Sequence, residues 1–333
     1  MARVAVVGAG IMGAAAAWAL ARRGAEVTVH ERFEPGHDRG SSHGRSRIVR
    51  LAYPDPEWIR LAAEAREGWS LLERETGTTL IELHGLVELA SSPELTSAAA
   101  LAAHGADHRL LSADEARALG VAVPEGWSAL HEPGGGIVRA DLALAAVVGA
   151  ARAHGARLEP GSRVRSLDEL DADTVVVAAG AWVGSLVPGL PVRVTRETVT
   201  YFRHEGPPLP SLVQINEGAA GHAMYALHDP VHGLKAGAHH GGAAADPDET
   251  GAPDEEVVAR TAAWVRELLP GVDPEPVDAQ TCLYTTTPDE SFVLERRGRV
   301  VVGSACSGHG FKFAPAVGRR LAALALDEAS RAP

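Results

Sequence analysis

Two lysines stand out among the residues that could do chemistry. Of the 31 lysines and arginines in this chain of 333 residues, only Lys235 and Lys312 are lysines. A chain that uses arginine for nearly every cation is expected to keep a compact ammonium group where a planar guanidinium would not serve. Both lysines lie in segments rich in glycine and histidine, at residues 233–239 and 308–313. Either they survived a compositional drift towards arginine or they line a polar pocket, and their neighbours favour the pocket.

A glycine-rich turn near the amino terminus indicates a dinucleotide site. The apolar residues 4–7 predict a strand, which is followed by the sequence G-A-G-I-M-G from Gly8 to Gly13 and by an alanine-rich helix. A second strand is predicted at residues 26–29, and Glu31 follows Gly13 by 18 residues. In such a βαβ unit the glycines let the backbone approach a pyrophosphate, and the acid binds a ribose diol. The acid disfavours NADP, but the turn alone does not distinguish FAD from NAD.

The composition is typical of a globular protein with room for two domains. The apolar fraction is 46% and the net charge is -12 at pH 7. This charge repels phosphate backbones and anionic membranes, so we expect neither a nucleic-acid partner nor membrane association. The two cysteines, Cys282 and Cys306, give no disulfide framework, and no leader or long apolar span is evident. We therefore expect a cytoplasmic protein.

The order of predicted elements indicates an α/β fold with a second domain inserted twice into the first. After the βαβ unit come a polar loop at residues 40–50 and a long helix. A buried strand at residues 175–178 returns the chain to the nucleotide-binding fold, whereas residues 192–285 are rich in short β-runs, which favours a mostly antiparallel sheet. The predicted boundaries are 1–79, 135–190 and 286–333 for a discontinuous Rossmann-like domain, and 80–134 and 191–285 for the inserted domain.

Four further motifs carry a resemblance to a known family. Residues 40–50 match the pattern G-S-x-H-G-x-x-R-x-x-R, and residues 233–239 match G-L-K-x-G-x-H. Residues 282–285 match C-x-Y-T, and residues 307–313 read S-G-H-G-F-K-F. With the glycine turn and the G-A-W at residues 180–182, these motifs cover nearly the whole chain. The chain resembles the family of monomeric sarcosine oxidase and N-methyltryptophan oxidase.

The resemblance implies a two-domain flavoprotein with covalently bound FAD and a separate substrate domain. Cys282 would tether the flavin through a thioether. Arg50 and Lys312 would bind the substrate carboxylate, while Lys235 would stand over the reactive flavin nitrogen and assist oxygen reduction. The amine would be framed by Tyr225, Tyr284 and His239, and the flavin ring would be flanked by His43 and Arg47. The resemblance assigns the remaining cofactor contacts to Gly8, Gly10, Ile11, Met12, Gly13, Glu31, Arg32, Ser41, Ser42, Val164, Gly180, Trp182, Gly308, His309, Gly310, Phe311 and, a second time, to Arg47 and Lys312.

The residue types support some of these roles by themselves. An arginine and a lysine that converge on a carboxylate supply charge-assisted hydrogen bonds worth roughly 1.5 to 3 kcal/mol each. A preorganised ammonium stabilises the anion that develops when dioxygen is reduced, which suits Lys235.

Other residue types leave alternatives open. Cys282 is either a small buried apolar residue or, beside a cationic flavin site, a thiol with a lowered pKa. Tyr225 and Tyr284 suit core packing equally well, and Cys306 is interpreted as structural. No histidine or cysteine spacing predicts a metal site, and His240 is interpreted as a surface or capping residue.

Together these observations predict an FAD-dependent oxidase of secondary amino acids, such as sarcosine, other N-methyl amino acids or a cyclic imino acid. A hydride would leave the α or methyl carbon next to the amine, and dioxygen would be reduced to hydrogen peroxide. The alternatives are an FAD-dependent dehydrogenase or primary amino-acid oxidase, a nicotinamide-dependent dehydrogenase, and a flavin-binding module without turnover. Arg45 stands where relatives carry an acid, which adds positive charge beside the loop and leaves the substrate open. We expect a monomer that takes only a small amino acid and dioxygen.

Overall fold

The computed structural model describes residues 1–91, 96–215, 223–304 and 307–327, so Cys306 lies outside the described residues. Within these ranges the strands form sheets of six, nine and three strands. None of the described helices is long and apolar enough to cross a lipid bilayer.

The six-stranded sheet is assembled from three separate parts of the chain. It has the order β17-β18-β10-β1-β2-β9, and its strands are parallel except for β17, which pairs antiparallel to β18. This arrangement confirms the predicted discontinuous Rossmann-like architecture. The strands are β1 (Arg3–Val7), β2 (Glu26–His30), β9 (Arg157–Glu159), β10 (Thr174–Val177), β17 (Val293–Arg297) and β18 (Val300–Ser304).

Helices pack mainly around this sheet. Helix α1 is buried along its whole length, because its alanines let neighbouring helices approach closely, and Trp18 is its one aromatic side chain in this core. The predicted long helix, α2, is confirmed: the Asp55 side chain caps it by accepting from Glu57 N at 2.8 Å, and Gly77 ends it with a φ of 67°. The helices are α1 (Ile11–Ala21), α2 (Pro56–Thr76), α3 (Thr96–His104), α4 (Ala113–Ala118), α5 (Ala140–Ala153), α6 (Val183–Leu186), α7 (Glu255–Leu268) and α8 (Ala314–Ala325).

The nine-stranded sheet is mostly antiparallel, as predicted for the inserted segments. Its order is β15-β11-β14-β13-β12-β5-β7-β6, with β16 paired to β11, and β5 and β12 form a parallel pair. The strands are β5 (Leu86–Ala90), β6 (Arg109–Leu111), β7 (Ser128–Glu132), β11 (Arg193–Arg203), β12 (Ser211–Ile215), β13 (Met224–Asp229), β14 (Gly233–Ala238), β15 (Ala243–Ala244) and β16 (Pro276–Thr286).

A small sheet corrects the prediction of a continuous loop at residues 40–50. Strand β3 (Ser46–Val49) pairs antiparallel with β8 (Gly136–Arg139), which also pairs with β4 (Ile81–Glu82). The partner of β3 is far away in sequence, so local patterning could not reveal it. The small sheet crosses the boundaries suggested near residues 80 and 135, and those boundaries stay predictions.

Candidate active site

The glycine turn forms a close-packed cradle between β1 and α1. Gly8 has a φ of +100°, and a Cβ there would lie 2.6 Å from the carbonyl oxygen of Ala178. A Cβ at Gly13 would lie 1.8 Å from the carbonyl oxygen of Gly8. Only glycine fits at both positions. The helix N-terminus behind the turn presents backbone N–H groups, one of which, Ile11 N, donates to Ser42 Oγ at 3.0 Å.

Glu31 closes the other side of this cradle. Its carboxylate is buried and accepts hydrogen bonds from Ala9 N at 2.7 Å and Phe33 N at 2.9 Å. The next residue, Arg32, pairs with Asp248 and lies 5.6 Å from the ring centroid of Trp182. The acid is therefore held rigidly beside the glycine turn, where a ribose would have to lie.

A cavity of about 870 Å³ starts at this cradle and extends to Lys312. Of the residues assigned from the sequence, Gly13 does not line it and serves instead to pack α1 against β1. The glycine cradle, the buried acid and the volume of the cavity fit a dinucleotide such as FAD. The assigned residues that line the cavity are Gly8, Gly10, Ile11, Met12, Glu31, Arg32, Ser41, Ser42, His43, Arg47, Arg50, Val164, Gly180, Trp182, Tyr225, Lys235, His239, Cys282, Tyr284, Gly308, His309, Gly310, Phe311 and Lys312.

Arg50 and Lys312 meet at the far end of the cavity, on Tyr53. Lys312 Nζ donates to the Tyr53 hydroxyl at 2.9 Å, and the Arg50 guanidinium carbon lies 4.4 Å from the Tyr53 ring centroid. Burial alone would raise the pKa of Tyr53, but the charges of Lys312 and Arg50 lower it below its usual value. Arg50 Nη1 is buried and has no hydrogen-bond partner among the described residues. Arg50 and Lys312, which both line the cavity, thus converge on the Tyr53 phenol.

Two buried carboxylates behind Arg50 were not anticipated from the sequence. Glu88, on β5, is fully buried, accepts a hydrogen bond from the Ser97 hydroxyl and places Oε2 3.8 Å from Arg50 Nη1. Glu132 accepts hydrogen bonds from the two backbone N–H groups that follow Arg50, at 2.9 and 3.0 Å. Burial raises the pKa of both carboxyls. The available signal was a glutamate inside the otherwise apolar run at residues 86–90.

Lys235 is buried in the middle of β14 and lines the cavity. Its ammonium makes no hydrogen bond or ion pair within the described ranges. Burial, followed by the positive charge of Arg47, lowers the pKa of Lys235 to about 7. Close to neutral pH, Lys235 is therefore able to gain or lose a proton inside the cavity.

Arg45 does not add the free positive charge that was expected beside the loop. Its Nη1 lies 3.4 Å from Oδ1 of Asp229, which is fully buried at the end of β13. The guanidinium also lies 5.8 Å from the ring centroid of Tyr201. The charge of Arg45 is thus met by an acid from a distant strand.

Cys282 lies on β16 and lines the cavity. Burial raises the pKa of its thiol and outweighs the opposing charges of Arg47 and Lys235. Of the two alternatives left open for Cys282, this direction favours the buried apolar residue. Tyr284 follows two positions later, on the same face of the strand, and its hydroxyl lies 3.4 Å from His239 Nδ1. Burial raises the pKa of Tyr284 and lowers that of His239, so both are neutral near pH 7.

The loop between β2 and β3 is held together by Arg47. Its guanidinium donates to the backbone carbonyls of Ser41 at 2.9 Å, His43 at 2.6 Å and Ser46 at 2.9 Å. Burial, then the charge of Arg47, lowers the pKa of His43 to about 4. His43 lines the cavity, and its Nε2 is buried without a hydrogen-bond partner among the described residues.

Comparison with known proteins identifies the family of this chain. Residues 3–324 match the model of the DAO family, described as FAD dependent oxidoreductase. Peroxisomal sarcosine oxidase of Homo sapiens is 34% identical, with 96% of this chain and 91% of that protein aligned. Monomeric sarcosine oxidase of a Bacillus species is 32% identical, with 97% and 92% aligned.

A solved structure supports the fold over the same length. The open form of NikD, described as an unusual amino acid oxidase essential for nikkomycin biosynthesis, superposes with a TM-score of 0.86 at 27% identity and covers 98% of this chain and 95% of its own. The fold class and the family resemblance inferred from the motifs are both confirmed. The chain belongs to the family of FAD dependent oxidoreductases.

Proposed function

We propose that this protein is an oxidase of small secondary amino acids, such as sarcosine, another N-methyl amino acid or a cyclic imino acid. The observation that carries the proposal is the meeting of Arg50 and Lys312 on Tyr53, in the same cavity as the dinucleotide cradle. A substrate carboxylate that takes the place of the Tyr53 hydroxyl beside Lys312 would accept hydrogen bonds from both Lys312 and Arg50. This geometry selects an amino acid over a simple amine.

The same cations help the chemistry of the amine. Oxidation requires a neutral nitrogen lone pair, and nearby positive charge lowers the pKa of the substrate ammonium. His239 and Tyr284, which are neutral near pH 7, offer a hydrogen-bonding frame without a competing charge. Bound FAD supplies a two-electron acceptor that dioxygen can reoxidise. The substrate loses a hydride and a proton to give an imine, which water cleaves to an amine and an aldehyde unless the imine is cyclic, and dioxygen leaves as hydrogen peroxide.

Lys235 favours an oxidase over a dehydrogenase. Its ammonium has no counterion to which it is hydrogen-bonded within the described ranges, so its charge is available to an anion that develops in the cavity. Because Lys235 is buried, that charge would stabilise reduced dioxygen species with little reorganisation. A pKa of about 7 also lets Lys235 deliver a proton.

The proposal includes a thioether between Cys282 and the flavin. Cys282 lines the cavity near Arg47 and Lys235, whose charges oppose the effect of burial on its pKa. Ser41, Ser42, Glu31 and the glycine turn hold the nucleotide part. We place the enzyme in the cytoplasm because its two cysteines give no disulfide framework. We propose a monomer because a relative that is 32% identical is named monomeric.

Hydrogen peroxide release from a panel of amines tests the function. Sarcosine, other N-methyl amino acids, proline and pipecolate are compared with glycine, which lacks the second carbon on nitrogen, and dimethylamine, which lacks the carboxylate. Turnover of a secondary amino acid well above both controls supports the proposal. Turnover of dimethylamine at the rate of sarcosine would refute carboxylate recognition. Flavin reduction without peroxide would indicate a dehydrogenase, and no flavin reduction by any amine would indicate a module without turnover.

A further inference from the structure

Three side chains with metal-binding atoms converge at the edge of the cavity. His239 and His240 directly follow β14, and Glu290 lies in the loop before β17. One ligand-type atom from each of the three lies within 4.8 Å of the others. His240 Nε2 is 3.4 Å from Glu290 Oε1. His239 lines the cavity, whereas the Glu290 side chain is 56% exposed, so the cluster connects the cavity wall to solvent.

The backbone at this cluster is unusual. His240 has a φ of 57° and Glu290 has a φ of 58°, both in the left-handed region that residues with a Cβ rarely adopt. Backbone of this kind persists where surrounding structure enforces it, and it concentrates at functional sites. In addition, His240 Nε2 is buried and lacks a properly aligned hydrogen-bond partner within the described ranges. A buried ring nitrogen of this kind is costly unless something satisfies it.

The donor set and spacing fit a borderline divalent cation. Zinc binds histidine nitrogen and carboxylate oxygen at about 2.0 to 2.2 Å, so two ligands on one tetrahedral ion lie about 3.4 Å apart. The His240 to Glu290 separation of 3.4 Å matches this value. The exposed Glu290 carboxylate can turn to adjust its own separations from the two histidines. Magnesium, which prefers oxygen ligands and a full octahedron, does not suit two imidazoles.

We propose that His239, His240 and Glu290 form a binding site for a divalent transition-metal ion of the Zn²⁺ class, whose occupation closes the adjacent part of the cavity. No histidine spacing in the sequence predicts this site, since folding brings Glu290 next to two histidines that are distant in sequence. His309 packs nearby, with Nε2 3.5 Å from the Glu290 carbonyl oxygen, and its Nδ1 is buried without a partner among the described residues.

Calorimetric titration of the EDTA-treated, tag-free holoenzyme with ZnCl₂ tests the site directly. The variants His240→Ala and Glu290→Gln each remove one ligand, and His104→Ala, at an exposed histidine on α3, is the matched control. MgCl₂ replaces ZnCl₂ in a parallel titration. We expect one zinc ion per chain, a loss of affinity of at least about tenfold in both ligand variants, wild-type affinity in the control, and no magnesium binding.

Inhibition provides the second readout and rests on the proposed oxidase activity. Zinc is expected to slow amine oxidation by the wild type and to do so at correspondingly higher concentration in the two ligand variants. Because calorimetry needs no turnover, failure of the proposed activity leaves the binding test intact. The proposal is overturned if the wild type takes up no stoichiometric zinc, or if Glu290→Gln and His240→Ala bind zinc as the wild type does.

Discussion

Arg50 Nη1 and Glu88 Oε2 lie 3.8 Å apart, and neither atom has a hydrogen-bond partner among the described residues. The two charges face each other across a gap that is too wide for a hydrogen bond. Glu88 therefore offsets the charge of Arg50 without forming a hydrogen bond to this atom. Burying an ionised carboxylate is unfavourable, and the burial of Glu88 accordingly raises the pKa of its carboxyl.

Because the buried carboxylate is unfavourable, we expect Glu88→Gln to change the stability of the protein. A carboxyl whose folded pKa is raised binds more protons in the folded state, so the wild type loses stability as the pH rises from the unfolded pKa of about 4.5 through the folded pKa. The neutral glutamine avoids this loss. We expect Glu88→Gln holoenzyme to resist urea more than the wild type at neutral pH and to match it near pH 4.5. Glu57→Gln, at an exposed glutamate, is the control. Destabilisation of Glu88→Gln at neutral pH would mean that the pairing with Arg50 outweighs burial.

Lys312→Met is expected to weaken substrate binding more than turnover. Loss of one charge-assisted hydrogen bond, worth roughly 1.5 to 3 kcal/mol, corresponds to an increase in KM of about 10- to 150-fold for sarcosine. Tyr53→Phe keeps both cations and removes only the hydroxyl to which Lys312 donates, so its KM should change far less. Steady-state peroxide assays measure both values. An equal loss with sarcosinamide, which has no carboxylate, would argue against the assigned role of Lys312.

The lowered pKa of Lys235 predicts that reoxidation of the reduced enzyme by dioxygen depends on pH. With a pKa of about 7, Lys235 is an ammonium below this pH and neutral above it. Reoxidation of the reduced enzyme should therefore slow as the pH rises through about 7, while anaerobic reduction by substrate is little affected. Lys235→Met should be slower by about 10²- to 10³-fold in reoxidation and insensitive to pH. Stopped-flow measurements between about pH 6 and pH 9 give both rates.

Lys235→Arg is the matched control for that prediction. Its charge persists over the whole range, so reoxidation should lose its pH dependence and stay faster than in the methionine variant. Equal slowing of reduction and reoxidation in Lys235→Met would remove Lys235 from the oxygen step.

Cys282→Ser is expected to release FAD from the acid-precipitated protein, whereas wild-type flavin should stay with the pellet. Cys306→Ser, at the only other cysteine in the sequence, is the control and should behave as the wild type. Since burial raises the pKa of the Cys282 thiol, attachment to added FAD should also speed up as the pH rises. Spectra of pellet and supernatant report the result. Flavin that stays bound in Cys282→Ser and is lost in Cys306→Ser would move the tether to Cys306.

The dinucleotide cradle could be predicted because its parts are local. The glycine turn, the strand before it, the helix after it and Glu31 all lie within the first 31 residues, so spacing alone describes the geometry. The antiparallel second sheet was also accessible, because its β-branched runs and turns are local signals. Gly13 was assigned to the ligand, yet it serves to pack α1 against β1.

The polar machinery around Arg50 could not be derived in this way. Tyr53 and Lys312 are 259 residues apart, and no local pattern pairs them. Glu88 interrupts an apolar strand, which marks it as unusual but does not reveal that Arg50 is its partner. The pairing of Arg45 with Asp229 likewise depends on how β13 passes the loop before β3. Motif resemblance identified the cations, whereas their counterions emerged only from the fold.

The cavity takes its walls from both large sheets, with the glycine turn on the six-stranded sheet and Cys282 on the nine-stranded one. A ligand that fills the cavity contacts both sheets and therefore links two parts of the protein between which the chain passes several times. With a thioether at Cys282, the flavin end of the ligand would be covalently bound to the nine-stranded sheet. The nucleotide end would be held by the glycine turn of the six-stranded sheet. The cofactor would then also have a structural role, because it would hold the two sheets in a fixed relative position during catalysis.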